Sequence, residues 1–197
     1  ITANGDVTNT RAVRKIGDSS IKFDGTGDYL STPSSGIELT GDFTIEGWFY
    51  TASATTDNGI MSNNYNDSGT DGNFVIRVND GGNNNDISYR PYNGTVAEGG
   101  YAITSAAAWS DNTWTHFAVV KYGSGTGNVK IYVGGSLAGT SAGASASTIM
   151  GNASTFNIGA QLSHVGNNYI NGYMDEIRIS NSARYTTTFT PSTTAFT

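Results

Sequence analysis

Short segments that alternate apolar and polar residues recur along almost the whole chain, and a period of two is the signature of a half-buried β-strand. In "DFTIEGWFY" (42–50), Phe43, Ile45, Gly47 and Phe49 share one face, and Thr44, Glu46, Trp48 and Tyr50 share the other. "NFVIRVND" (73–80) sets Phe74, Ile76 and Val78 against Val75, Arg77 and Asn79, and "DISYRPY" (86–92) follows across the turn "DGGNNN". "WTHFAVVKY" (114–122) and "NVKIYVGG" (128–135) make a second hairpin across "GSGTG". "SSIKFDG" (19–25), "STFNIGA" (154–160) and "NGYMDEIRIS" (171–180) add further strands. Turn signals fall about every 8–12 residues, the spacing of an all-β fold. The 26 glycines and the low charge content of 13% suit short strands joined by polar turns. The best helical candidate, "ITSAAAWS" (103–110), offers one or two turns. We therefore expect an all-β fold with at least eight strands: a two-sheet antiparallel β-sandwich or jelly roll, one domain over residues 1–197.

Charge and composition exclude several functions. The net charge is −6 and the ten basic residues are scattered. No basic stripe exists to neutralise phosphates, so no nucleic acid is expected as a partner. The absence of cysteine rules out disulfides, thiolate metal sites and a cysteine nucleophile. No segment approaches the ~20 apolar residues of a membrane helix, so no membrane insertion is expected. The chain starts with Ile, which reads as a piece of a longer protein.

Period two fails at one place. In "YMDEIRIS" (173–180), Met174 and Ile177 both read as core residues, yet they are three apart. The break at Asp175–Glu176 is the mark of a β-bulge, which re-aims side chains. Neighbours on a strand point to opposite faces, which argues against a catalytic pair here. A calcium ligand fits Asp175 better, because calcium gathers ~6–8 oxygens from carboxylates and carbonyls. Two solvated strand residues are the plain alternative.

No catalytic arrangement stands out. The chain has four Glu, at 38, 46, 98 and 176, and no two lie in a Glu-x-Asp-x-x-Glu pattern. Glu46 reads as a strand residue paired with Arg77, Arg90 or Lys130, and His116 as a structural face residue. Two loops carry the aromatic rings and amide groups that sugar recognition uses. "DNGIMSNNYNDSGTDGN" (57–73) holds Asn63, Asn64, Tyr65 and Asp67, and "SHVGNNYINGY" (163–173) holds Asn168 and Tyr169. Trp48, Arg77, Arg90, Tyr92 and Tyr132 share the polar parity and are expected to line a concave face. Asn and Gly also build turns without any ligand.

"SIKFDGTGDYLSTP" (20–33), "GDFTIEGWFY" (41–50), "WTHFAVVKYGSGTGNVKIYVGGSLAGT" (114–140) and "GYMDEIRISNSARY" (172–185) occur in that order. Together they resemble the laminin-G-like, concanavalin A-like lectin and glucanase superfamily. The segment from Asp175 onward is similar to modules of phage structural proteins and microbial surface proteins. The resemblance implies two curved sheets and a structural calcium ion between an early loop and the late strand, which maps to Asp24, Asp28 and Asp175. The chain departs from the family pattern at "YVGG" (132–135) and at the Thr of "WTHFAVV", which weakens any borrowed site. The expected function is a non-catalytic carbohydrate-binding or adhesion module, extracellular, on a cell surface or a virion. Its expected partners are a glycan or polysaccharide and the neighbouring domains or subunits of a larger assembly. A purely structural protein–protein module, decorating a capsid or fibre, is the alternative. A glycoside hydrolase or polysaccharide lyase ranks last, since the paired acids are missing.

Overall fold

The computed structural model describes residues 1–51, 57–63, 71–80, 82, 85–93, 102–104, 106–143, 148–149, 155–162 and 167–196; the side chains of 71–73, 92, 93, 148 and 149 are excepted. Two seven-stranded antiparallel sheets make the body of the molecule. The first runs in the order β1 (Thr2–Asn4), β4 (Tyr29–Pro33), β15 (Thr155–Ile158), β7 (Asn58–Ser62), β8 (Asp71–Val78), β9 (Ile87–Asn93) and β10 (Ala102–Ile103). The second runs β13 (Ser136–Thr140), β12 (Val129–Val133), β11 (Thr115–Lys121), β6 (Phe43–Thr51), β18 (Asn171–Ser180), β3 (Ser20–Asp24) and β2 (Thr8–Thr10). Two small pairs complete the fold: β14 (Thr148–Ile149) with β5 (Leu39–Thr40), and β16 (Ala160–Gln161) with β17 (Asn168–Tyr169). Both expected hairpins form, β8 with β9 and β11 with β12. The alternating faces land as the pattern requires: Phe43, Ile45 and Phe49 pack against Phe74, Ile76, Tyr89 and Phe156 between the sheets.

The stretch 103–110 is not helical. Ala107 has a positive φ of 58°, and Trp109 drops into the core, edge-on to Phe49 at 5.4 Å, its Nε1 donating to the Asp86 carbonyl at 3.1 Å. Burial of that one large ring outweighs the helix preference of the alanines, because tertiary packing overrides intrinsic propensity.

The bulge in β18 is present. Asp175 pairs with Trp48 and Arg178 with Glu46, so Glu176 and Ile177 together oppose Gly47. Glu176 takes the left-handed conformation, φ 49°. Gly47 is the partner this requires, because a Cβ there would meet Ile177 Cδ1 at 2.4 Å. The extra residue turns Ile177 and Ile179 inward with Met174 and sends Arg178 outward over Glu46.

Past β18, residues 181–196 cross the outer face of the second sheet as a strap. Thr44 Oγ1 donates to the Ser182 carbonyl and accepts from the Arg184 amide. Phe189 stacks on Tyr185 at 3.5 Å, lies against Tyr132 and His116, and donates its amide to the Gly135 carbonyl. The Phe196 amide returns to Glu176, and its ring sits 3.8 Å from the Arg178 guanidinium. Tyr132 is thus buried beneath Phe189, and Trp48 is buried with the Lys15 ammonium 4.2 Å from its ring, so neither lines an open concave face; Arg77, Arg90 and Tyr92 belong to the other sheet. Glu46 is likewise enclosed, and its partners differ from those expected. It accepts from Arg178 at 2.9 Å and from Tyr185 at 2.9 Å, and lies 3.3 Å from His116 Nε2.

The carboxylates of Asp28 and Asp175 clamp the chain. Asp28 accepts from the amides of Asp6 (2.6 Å) and Asp24 (2.9 Å), and Asp175 Oδ2 accepts from those of Lys15 (2.9 Å) and Ile16 (3.0 Å). Asp24 pairs with Asn171, so Asp175 lies four positions, about 13 Å, further along β18. Asp24, Asp28 and Asp175 are therefore not gathered into one shell in this structure.

Two expectations follow. Asp175→Ala strands one buried and one part-buried amide, worth about 2 kcal/mol, or roughly 4–8 °C in Tm. The loss should be the same in calcium and in EDTA by thermal melt; a loss confined to calcium would assign Asp175 to an ion. Burial alone would raise the pKa of Glu46, but the hydrogen bonds from His116, Arg178 and Tyr185 and the Arg178 charge outweigh it and hold the carboxyl below its ordinary range. A lowered folded value means stability that is present above the unfolded pKa and lost as pH falls through the folded one. Glu46→Gln should be destabilised at neutral pH and should lose stability less steeply than wild type on acidification below about pH 4.5, measured by urea unfolding across pH.

Candidate functional site: a polar pocket at the sheet rim

At one end of the sandwich, three short segments meet around a cavity of about 300 Å³. Asp24, Gly25 and Thr26 leave β3 on one side, Asp57 and Asn58 enter β7 on another, and Asn167, Asn168, Tyr169 and Asn171 close it from the β17–β18 side. The Asp24 carboxylate is oriented by accepting from the Thr26 amide at 2.7 Å. Tyr169 stands 6.3 Å from the ring of Tyr29, and Asn167 Nδ2 donates to its hydroxyl at 3.2 Å.

The wall is fixed from behind. Arg77 Nη1 donates to Asp57 Oδ2 at 2.5 Å and to Gln161 Oε1 at 3.4 Å, where Asn168 Nδ2 also donates. Arg77 Nε lies 3.2 Å from Asp80, whose two oxygens accept a fork from Arg90 at 2.7 Å each. Asp86 sits against the same group, accepting from the Asp80 amide at 2.8 Å. Burial pushes the Asp86 carboxyl up; the Asp80 amide opposes this, while the charges of Asp80 and Asp57 reinforce it. Gly59 brings β7 onto β16 and β17 beneath the pocket. A Cβ on it would lie 1.9 Å from the Gln161 nitrogen and 2.8 Å from the Asn168 carbonyl oxygen, so no other residue fits.

Three of the residues singled out from sequence, Asp24, Asn168 and Tyr169, thus line one pocket, with Arg77 directly behind and Arg90 one link further away. Asn63 is not among them: it is fully buried, and its Oδ1 accepts the Phe74 amide at 2.5 Å. Asn64, Tyr65, Asp67 and the side chain of Tyr92 lie outside the described residues. Sequence reading missed Asp57, Asn58, Gln161 and Asn171. Asp57 and Asn58 open the polar loop that was noticed, but only the register of β7 against β8 shows that its first two residues form the pocket wall.

The pocket offers carboxylate acceptors, carboxamides that both donate and accept, and a phenol ring. That set matches polyhydroxyl surfaces. Among the described residues no three His, Cys, Asp or Glu side chains come close enough to share a metal ion. A larger cavity of about 560 Å³ opens beside the bulge; partly buried aliphatics such as Leu30, Ile158 and Ile177 line most of it, with Asp175, Glu176 and a few Ser, Thr and Asn side chains among them.

The fold recurs in solved structures of low sequence identity. The binding domain of botulinum neurotoxin DC in complex with SialylT superposes with a TM-score of 0.64 at 16% identity, over 92% of this chain and 43% of that one. Domain 4 of AbnA, a GH43 extracellular arabinanase from Geobacillus stearothermophilus in complex with arabinotriose, gives 0.62 at 18%, over 91% and 77%. Domains LG4-5 of the mouse laminin alpha1 chain give 0.59 at 14%, over 86% and 44%. The chain thus spans less than half the length of the neurotoxin and laminin structures. A comparison with curated protein sequences gives no match. A laminin G family model does match, over residues 24–187 and so most of the sequence: the chain belongs to the concanavalin A-like lectin/glucanases superfamily.

Proposed function

We propose that this domain is a non-catalytic carbohydrate-binding module, that it serves adhesion in a larger extracellular, cell-surface or virion protein, and that the rim pocket is its glycan site. One observation carries the reading: Asp24, Asp57, Asn58, Asn168 and Tyr169, from three separate segments, converge on one open polar cavity. Sugars are bound by such a mixture, hydroxyls by carboxylates and carboxamides, and ring C–H faces by an aromatic plate. Arg77 holds the Asp57 side chain in place before any ligand arrives, which lowers the ordering cost of binding. Two structural neighbours support the reading, since both carry SialylT or arabinotriose in their complexes.

The test is a glycan array followed by titration of the best hits. Tyr169→Ala and Asn168→Ala should each weaken binding about tenfold, equal to about 1.4 kcal/mol. Tyr122→Ala removes an exposed ring elsewhere on the surface and should leave the affinity unchanged. A silent array, or hits indifferent to Tyr169 and Asn168, would overturn the assignment.

A further inference from the structure

We infer that the rim pocket selects uncharged or cationic sugars and turns away anionic ones, with Asp57 as the determinant. The inference rests on the glycan-binding reading above and adds the class of ligand to it. All ten Lys and Arg side chains belong to the described residues, so the census of Lys and Arg is complete. None of them lines the pocket, whereas two carboxylates, Asp24 and Asp57, do. Recognition of a sugar carboxylate or sulfate requires a cation or a set of donors turned toward it.

Arg77 is the cation behind the wall, and it is committed. It is buried, 6% exposed, and it is bound to Asp57 on the pocket side and to Asp80 on the other. Arg90, the next in line, gives its fork to the same Asp80. Asp57 therefore does two things at once. It cancels the guanidinium charge that would otherwise attract an anion, and it leaves the Asp24 carboxylate as the uncancelled charge of the wall. The remaining lining side chains are mostly carboxamides, which bind hydroxyls as donor or acceptor without regard to charge. A sugar amine would gain from the same field that repels a sugar acid.

The experiment is calorimetric titration of the whole domain at pH 8, where an ordinary histidine is neutral, with arabinotriose, galactotriose, trigalacturonate and sialyllactose, and with the glucosamine trimer beside arabinotriose at pH 6, where its amines are charged. The neutral and amino sugars should bind at least tenfold more tightly than the acids at low salt. The gap should shrink as salt screens the field within a Debye length of about 8–10 Å. Asp57→Asn should narrow it further, because it removes one of the two carboxylates that neutralise Arg77, and should raise the affinity for trigalacturonate or sialyllactose. The salt series on the unaltered protein keeps the test decisive even if the variant folds poorly. Acids that bind as tightly as their neutral counterparts would overturn the charge selection and leave the glycan site standing. A panel in which no sugar of any charge binds would instead overturn the glycan site itself.

Discussion

A carboxylate with no access to water decides how the second sheet is finished. Glu46 is fully buried on the outer face of β6, where an unpaired charge would cost several kcal/mol. Its main partner, Arg178, sits opposite it only because β18 carries one extra residue between Asp175 and Arg178. Without the bulge, Arg178 would point into the core and Ile177 outward. The strap then completes the enclosure: Tyr185 brings a hydroxyl to Glu46, and Phe189 covers His116 and Tyr132. Register, bulge and strap are three parts of one solution to a buried charge.

Much of this frame was readable before any coordinates. Period two located β6, β8, β9, β11, β12 and β18, and the parity failure at Met174–Ile177 located the bulge, because both signals are local and depend only on which face is buried. The strap was not readable. Residues 186–197 are rich in threonine and lack alternation, and their docking depends on two rings, Tyr185 and Phe189, meeting a face assembled from three other strands. For the same reason Trp48 and Tyr132 looked available from sequence: polar parity says outward, but outward is not exposed when another segment lies across it. The site was legible in half. Asn168 and Tyr169 announce a polar loop, and Asp24 a turn, yet their meeting with Asp57 is a product of strand order between two sheets.

The carboxylates expected around calcium each take up backbone amides in this structure. The oxygens of Asp28 and Asp175 accept from the amides of residues 6, 15, 16 and 24. Buried amides need acceptors as strictly as an ion needs oxygens. In a chain that spends its charges on such closures, 13% charged residues are enough to pin the N-terminal segment, the outer face of the second sheet and the pocket wall.

Gly59 carries a consequence for how the molecule responds to a ligand. With β7 in backbone contact with β16 and β17, the wall carrying Asn58 and Asn168 has no slack between its strands. Under the proposed function, a sugar would meet that wall already at its final shape. Discrimination among linkages and ring sizes would then come from misfit, as in a mould, and a longer oligosaccharide would have to run out over the rim instead of deepening the cavity.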